Sequence, residues 1–129
     1  MSEVLWVSIA GVLGTLSRYG LTGLVYRVMD KEQFPYGTLL VNVLGSFAIG
    51  IIMQLGIATT IIPRTARVAA TIGFLGAFTT FSTFSYETVK LMENRMWGNA
   101  LLNAGANVIG CCIACWLGIS LAKALTGGR

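Results

Sequence analysis

Residues Gly73 to Glu87 read GFLGAFTTFSTFSYE. Aromatic rings, among them Phe78, Phe81 and Phe84, are interleaved here with serine and threonine hydroxyls. A helix that only crosses lipid has no use for so many hydroxyls, whereas a helix that lines a polar path or loosens its backbone has use for both features. The stretch therefore indicates a site within a membrane-spanning segment.

The composition of the chain places that segment in a bilayer. The 129 residues are 55% hydrophobic and 11% charged, and their mean hydropathy is +0.75. Such a chain lacks the polar surface that a soluble globule needs. Since a spanning helix needs about 20 predominantly apolar residues, the sequence predicts four spans: Val4 to about Val28, Gly37 to about Ile62, Val68 to about Leu91, and Trp97 to about Leu125.

Little sequence remains outside these spans, so we predict a single four-helix transmembrane domain over residues 1–129 of an all-α integral membrane protein. The first span is expected to be mature structure and not a signal peptide, because Glu3 is the only early charge and the apolar run contains Arg18. Short connections make consecutive spans antiparallel neighbours. The predicted connections are Met29 to Tyr36, Pro63 to Arg67, and Glu93 to Met96.

The basic residues outside the spans are balanced between the two sides of the membrane. One side would carry Arg64, Arg67, Lys123 and Arg129, and the other Arg27, Lys31, Lys90 and Arg95. An excess of Lys and Arg normally marks the cytoplasmic side, so this balance leaves no orientation signal. Either the chain inserts both ways up and pairs as an antiparallel dimer, or the count is noisy in so small a protein.

Small residues favour close helix association, which a dimer would use. Four short helices cannot enclose a pathway and also shield it from lipid on every side. Glycines let helix backbones approach closely where lipid removes the hydrophobic driving force. They occur at close spacing as Gly11 and Gly14, Gly45 and Gly50, Gly73 and Gly76, and Gly105 and Gly110. The pattern does not say which faces meet.

Arg18 lies well inside the first predicted span. An arginine at the bilayer centre costs about 2.5 to 3.5 kcal/mol on insertion scales, whereas one near a helix end can extend its side chain to the interface. One interpretation is therefore an interfacial anchor. The interpretation that we favour is a positive charge in an aqueous vestibule, because no acid at membrane depth is available to neutralise Arg18.

Two polar stripes follow the helical spacing of four residues on otherwise apolar spans. The second span carries Thr38, Asn42 and Ser46, and the fourth carries Asn103, Asn107, Cys111 and Cys115. Such side chains can hold a bundle together by interhelical hydrogen bonds, or they can line a polar path. With the phenylalanine-hydroxyl stretch beside them, we favour a path.

Several chemistries are excluded or made improbable. The chain has no histidine, and its three cysteines are too few for a closed zinc site. The carboxylates Glu3, Asp30, Glu32, Glu87 and Glu93 cluster near span ends. No phosphate-binding glycine loop follows a strand, and the scattered charges giving a net +4 do not favour nucleic-acid binding. We therefore expect neither an enzyme nor a nucleic-acid partner.

The alternative function is a small dual-topology, proton-coupled multidrug-type transporter. Such a transporter needs a carboxylate in the middle of a span, and only Glu87 comes near that position. Arginine, amides and hydroxyls suit an anion better than a cation, because they donate hydrogen bonds. Phenyl ring edges, which carry positive quadrupole density, act in the same direction.

Three segments carry a resemblance to a known family. They are GVLGTLSRY from Gly11 to Tyr19, GTLLVNVLGSF from Gly37 to Phe47, and the stretch quoted first. In this order they resemble the Fluc (CrcB) family of fluoride channels over essentially the whole length of the chain. The resemblance implies an antiparallel, dual-topology homodimer with two pores that export fluoride passively across the cell membrane of a microbe, expected to be a prokaryote.

The resemblance also implies roles for individual residues. Phe81 and Phe84 match the family's pore phenylalanines, Asn42 its pore asparagine, Arg18 its vestibule arginine, and Ser82 and Thr83 would add hydroxyls beside the rings. Thr38, Asn103 and Asn107 would continue the polar lining, although the family usually has Ser, Thr or Tyr along the fourth helix. The third helix is expected to break in its middle, where backbone carbonyls of Gly76 and Thr79 from both subunits would hold a structural sodium ion.

Overall fold

A computed structural model describes residues 2–30 and 33–128. Lys31, Glu32 and Arg129, which entered the charge and carboxylate inventories, lie outside the described residues. The helices are α1 (Ser2–Val25), α2 (Tyr36–Ala58), α3 (Arg64–Val68), a π-helical segment (Ala69–Leu75), α4 (Gly76–Phe78), α5 (Phe81–Glu93) and α6 (Trp97–Leu125).

The described residues form four helical stretches that are long and apolar enough to cross a membrane: Glu3–Val25, Tyr36–Ala58, Arg64–Glu93 and Trp97–Leu125. The predicted four-span, all-helical class is therefore confirmed. The predicted ends of the first two spans are too late, since α1 ends at Val25 and α2 at Ala58. The prediction of a connection from Pro63 to Arg67 is also wrong over most of its length, because helix begins at Arg64.

Local polar contacts explain the early end of α2. Thr59 adopts an extended conformation after the helix. Arg67 then donates from Nη1 to the carbonyl oxygen of Gly56 at 2.8 Å, so a carbonyl of the last helical turn, which has no intrahelical donor, is satisfied from α3. Apolar character continues through Ile61 and Ile62, and composition alone therefore placed the helix end too far along the chain.

The third span changes its backbone conformation four times. The π-helical turns of Ala69–Leu75 separate α3 from α4, and π-helical turns often occur at functional sites. After Phe78, Thr79 and Thr80 both have extended dihedral angles, with ψ of 159° and 117°. Helix resumes at Phe81 with Thr80 as the N-cap of α5.

Close backbone contacts join the helices in two pairs. A Cβ atom at Gly14 of α1 would overlap the carbonyl oxygen of Phe74 in the π-helical segment. A Cβ atom at Gly118 of α6 would overlap the carbonyl oxygen of Phe47 in α2. These glycines bring α1 against the third span and α2 against α6, the association that small residues permit in lipid.

The interior of the chain is small, and its outer faces are apolar. Val41, Leu75 and Phe78 form a buried cluster between α2 and the third span. Large apolar side chains such as Leu16 on α1 and Trp116 on α6 are more than half exposed. This inside-out distribution is expected of helices that meet lipid or other membrane helices.

Candidate anion path

The side-chain amide of Asn42 lies against the extended pair in the third span. Its Oδ1 accepts a hydrogen bond from the backbone N–H of Thr80 at 2.8 Å, and its Nδ2 donates to the carbonyl oxygen of Thr80 at 3.2 Å. Asn42 thus pairs with both backbone groups of Thr80 as a neighbouring strand would. This pairing satisfies polar groups that the interrupted helix would otherwise leave buried and unpaired.

Thr80 also begins α5. Its Oγ1 accepts from the backbone N–H of Thr83 at 3.2 Å, which is the usual N-cap geometry. The same hydroxyl donates to Oγ1 of Thr83 at 3.0 Å and lies 3.4 Å from Oγ of Ser82. The hydroxyls of Ser82 and Thr83 are therefore tied to the helix start, and both residues are exposed in the single chain.

A chain of buried hydrogen bonds extends from Asn42 through α6 and back to α5. Asn42 Nδ2 donates to Asn107 Oδ1 at 2.9 Å, and Asn107 Nδ2 donates to Asn103 Oδ1 at 2.9 Å. Asn103 Nδ2 donates to Thr88 Oγ1 at 2.9 Å, and Thr88 donates to the carbonyl oxygen of Phe84 at 2.7 Å. Every donor in this amide chain points the same way, from α2 toward α5.

The amide chain decides between the two interpretations of the polar stripes only in part. The stripes do bond helices to one another, since the chain joins α2, α6 and α5. The two Nδ2 hydrogens of Asn42 are matched by two acceptors, Thr80 O and Asn107 Oδ1. An anion that takes a hydrogen bond from Asn42 must replace one of them.

The two phenylalanines at the start of α5 have very different surroundings. Phe81 is 77% exposed, whereas Phe84 is 8% exposed. Their ring centroids lie 5.4 Å apart with planes tilted by 56°, so the two rings are within the contact range of an aromatic pair. Phe78 is buried in the apolar cluster with Val41 and Leu75 and belongs to the packing of the chain.

A cavity of about 440 Å³ lies between α2, the third span and α6. It is lined by amide side chains, by the extended pair and by the two α5 rings, together with two thiols and apolar groups. The predicted site residues that it brings together are Asn42, Asn107, Phe81, Phe84, Gly76 and Thr79. We call it the filter cavity. No charged residue is among its described lining residues.

A second cavity, of about 250 Å³, lies between α1, α2 and α5. Arg18, Thr38 and Thr83 line it, as does Glu87, and Thr80 lines both cavities. We call it the charged cavity. Tyr26 lines it from the turn after α1, and burial raises the pKa of this phenol above its usual value.

Arg18 reaches from the charged cavity to the interrupted helix. Its Nη1 donates to the carbonyl oxygen of Thr79 at 3.4 Å, and the side chain is half-buried. The guanidinium is therefore directed toward the backbone of the third span, and its role in a vestibule stays a prediction.

The carbonyl oxygens of Gly76 and Thr79 were expected to bind sodium, a hard cation that prefers oxygen ligands. In a continuous helix the N–H of Thr80 would donate to Gly76, but it donates to Asn42 instead, so the Gly76 carbonyl fits such a role. At Thr79 the cation would meet the Arg18 guanidinium at the same oxygen. Among the described residues, no three His, Cys, Asp or Glu side chains converge in a group that could hold a metal.

Two predicted residues line neither cavity, and two others were missed. Asn103 has no exposed surface and acts within the amide chain, while Ser82 is exposed beside the helix start. The sequence interpretation did not single out Thr80 or Thr88. Thr80, Phe84 and Thr88 share a spacing of four residues, so a search for that spacing across the end of the quoted stretch would have found both threonines.

Comparisons with known proteins identify the same family that the segments quoted above resemble. A sequence profile of the family described as "CrcB-like protein, Camphor Resistance (CrcB)" matches residues 5–119. A Geobacter metallireducens protein named "Fluoride-specific ion channel FluC" is 48% identical over 125 residues, covering 97% of this chain and all of that protein. Proteins of the same name from Geobacter sp. (strain M21) and Pelobacter propionicus are 46% and 44% identical, covering 97% and 99% of this chain and 100% and 98% of their own lengths.

These relatives come from bacteria, and their names are those of ion channels and not of enzymes. They do not favour the alternative of a multidrug-type transporter. With four spans in the described residues, this multi-pass membrane protein belongs to the CrcB family.

Proposed function

We propose that the protein is a fluoride-selective channel that exports fluoride passively from the cytoplasm and so confers fluoride resistance. The choice of fluoride as the ion rests on the names of its relatives. The observation that carries the proposal is the filter cavity, in which neutral donors and two phenyl rings meet at an interrupted helix. An anion can exchange its water there for protein donors without meeting a carboxylate.

Arg18 attracts the anion in this proposal. A positive charge inside a low-dielectric wall focuses the field and raises the local anion concentration, although the Glu87 carboxylate on the same cavity acts in the opposite direction. Thr38 and Thr83, which line the same charged cavity, supply the first hydroxyl donors. Thr80 lines both cavities, so the anion passes beside it to reach Asn42.

Asn42 then donates to fluoride by giving up one of its present acceptors. A neutral hydrogen bond contributes about 0.5–1.5 kcal/mol net, whereas a bond to a charged partner contributes about 1.5–3 kcal/mol. When the anion replaces Asn107 Oδ1, the hydrogen bond that Asn42 donates therefore becomes stronger. Asn107 and Asn103 remain held by the rest of the amide chain, so the site re-forms after the anion leaves.

The ring edges of Phe81 and Phe84 stabilise the partly dehydrated anion, because aromatic edges carry positive quadrupole density. Phe84 is fixed by burial, but Phe81 is 77% exposed in the single chain. We propose that a second subunit covers Phe81, so that each of two pores is lined by residues of both subunits. The polar residues of α6 would continue each path.

The dimer is proposed to be antiparallel, with subunits inserted in both orientations. The four-to-four balance of basic residues between the two sides supports this arrangement. The third span would then act as a broken helix whose break, at Thr79 and Thr80, lies at the dimer centre. Terminal tags in intact cells should be accessible from both sides of the membrane, and access from one side only would rule the arrangement out.

Sodium is proposed to bind between the two breaks, held by the carbonyl oxygens of Gly76 and Thr79 from both subunits, which requires Arg18 to release the Thr79 oxygen. The Gly76 oxygen supports this role, since its helical donor pairs with Asn42. Replacing sodium by N-methyl-D-glucamine should lower the melting temperature of the purified dimer. An unchanged melting temperature after prolonged dialysis would contradict the proposal.

The function is tested with purified protein in liposomes and a fluoride electrode. We expect fast fluoride efflux without a proton gradient and without comparable chloride efflux. Phe81→Ile and Phe84→Ile should abolish it, because isoleucine fills space but has no positive ring edge. Tyr86→Ile is a matched control, since Tyr86 is 64% exposed on the same helix and lines neither cavity.

Equal chloride flux, or transport that requires a proton gradient, would contradict the proposed function. Full fluoride efflux in both phenylalanine variants would be compatible with a channel but would show that the rings do not line its path.

A further inference from the structure

Two thiols lie in the filter cavity, and the proposed conduction mechanism does not use them. Cys111 and Cys112 of α6 line the cavity together with Asn42, Asn107 and Phe81. Cys112 is exposed in the single chain and Cys111 is half-buried. All three cysteines of the chain are free thiols, and the third, Cys115, does not line the cavity.

Helix geometry explains why two adjacent cysteines reach one cavity. Successive residues of an α-helix are rotated by roughly 100°, so Cys111 and Cys112 cover neighbouring sectors of the surface of α6. Cys111 stands one turn after Asn107 on the polar stripe. The thiols therefore lie along the wall that continues from the amides, and any group attached to them occupies the anion's space.

We propose that Cys111 and Cys112 form a modification site through which small, water-soluble, thiol-reactive electrophiles block the anion path. The cavity volume of about 440 Å³ is large enough for such a reagent, since one water occupies about 30 Å³ in the liquid. This inference rests on the proposed function, because a block requires a flux to be blocked. The presence of the site does not depend on that function.

The reaction with a methanethiosulfonate is a thiol–disulfide type of exchange. The cysteine thiol releases its proton to water, and the resulting thiolate attacks the divalent sulfur of the reagent. A sulfur–sulfur bond forms to the protein, the bond to the sulfonyl sulfur breaks, and methanesulfinate leaves. The protein sulfur is oxidised to a disulfide, and the thiosulfonate is the oxidant.

The charge of the attached group matters as well as its size. The 2-sulfonatoethyl reagent leaves a negative group among lining residues that include no charged side chain. A fixed negative charge raises the free energy of a passing anion in a low-dielectric cavity. The methyl reagent adds only a small neutral group, so we expect it to block less.

The test uses the full chain in liposomes, with efflux of each variant normalised to its own untreated rate. After 2-sulfonatoethyl methanethiosulfonate, the natural protein and Cys115→Ala should lose efflux by about tenfold or more. The double variant Cys111→Ala/Cys112→Ala should keep its full untreated rate of efflux. The mass of the peptide that carries Cys111 and Cys112 should rise, dithiothreitol should restore the flux, and fluoride should slow the labelling.

Each contrary result overturns the proposal. Complete labelling of Cys111 and Cys112 without loss of efflux would show that the thiols lie off the path. An absence of labelling would show that they are inaccessible, and a block that persists in the double variant would place the site elsewhere. If the untreated protein carries no fluoride, the proposed function fails, while fluoride-sensitive labelling measured by mass still tests the site.

Discussion

The filter cavity and the charged cavity adjoin the same residue, Thr80, but differ in chemistry. The filter cavity is the larger, about 440 Å³ against 250 Å³, and its described lining is neutral. The charged cavity contains Arg18 and Glu87. Charge acts over a long range and gathers ions of one sign, whereas selection among such ions needs short-range donors at fixed positions. In the proposed channel, these two tasks fall to different cavities.

The separation depends on the interrupted third span. Because Thr79 and Thr80 are extended, their backbone groups turn outward to different partners. Arg18 binds the Thr79 carbonyl, and Asn42 binds both backbone groups of Thr80. The charged residue and the amide are therefore anchored to consecutive residues, although they serve different cavities.

The largest effect is expected in the filter cavity from Asn42→Leu. Leucine has a similar volume but leaves the Thr80 N–H and the Asn107 oxygen without their present partner. Efflux in liposomes should fall by about a hundredfold or more, and each orphaned group should cost about 1–3 kcal/mol of stability. Asn99→Leu is the control, because Asn99 is a half-buried asparagine bonded to the Gln33 carbonyl, outside both cavities. Natural efflux in Asn42→Leu would contradict the role of the filter cavity.

A substitution in the charged cavity should reduce efflux less than Asn42→Leu does, and the reduction should depend on the salt concentration. Arg18→Gln keeps a hydrogen-bond donor for the Thr79 carbonyl but removes the charge. We expect about tenfold less efflux at low ionic strength and a smaller loss at high ionic strength, because screening reduces the contribution of charge. Arg18→Lys should retain most of the flux. Equal flux for Arg18→Gln and the natural protein at all salt concentrations would show that the two cavities do not differ in function.

The smallest effect is expected at the far end of the amide chain. Thr88→Val is close in shape but removes the hydroxyl between Asn103 and the Phe84 carbonyl. Thermal unfolding in detergent should show a loss of about 1–3 kcal/mol, because the buried Asn103 amide loses its acceptor. Efflux should fall only a few-fold, since Thr88 does not line the filter cavity.

Ser85→Ala is a matched control for Thr88→Val. Ser85 is half-buried and makes the same kind of bond to the carbonyl four residues earlier, at Phe81, but this bond is exposed. Its loss should change stability by less than about 0.5 kcal/mol. Equal losses in the two variants would show that burial of the amide chain contributes nothing.

Part of the candidate site could be proposed from the sequence because its signals are local. Asn42 and Arg18 were singled out from their own chemistry at membrane depth and Phe84 from the family resemblance, and each of them lines one of the two cavities. Thr80 was not identified, because its role comes from the conformation of its own backbone and from an asparagine 38 residues away. A serine- and threonine-rich stretch does not say which hydroxyl begins a helix.

The sequence also could not reveal the hydrogen-bond partners of the asparagine side chains. A spacing of four residues places Asn103 and Asn107 on one face of α6, but it does not reveal whether that face bonds a neighbour or an ion. The rotation of α6 against α2 decides this, and it is set by close contacts such as those at Gly50 and Gly118. Those contacts join residues far apart in the chain.

The sequence by itself determined the membrane class, the four spans and the family, because hydropathy and motif order are properties of consecutive residues. Only the tertiary structure decided that Phe84 is buried while Phe81 is exposed, that Asn42 pairs with Thr80, and that two thiols lie in the filter cavity. The physical reason is that these outcomes depend on how helices rotate and approach one another. Such long-range packing is not encoded in any single stretch of the chain.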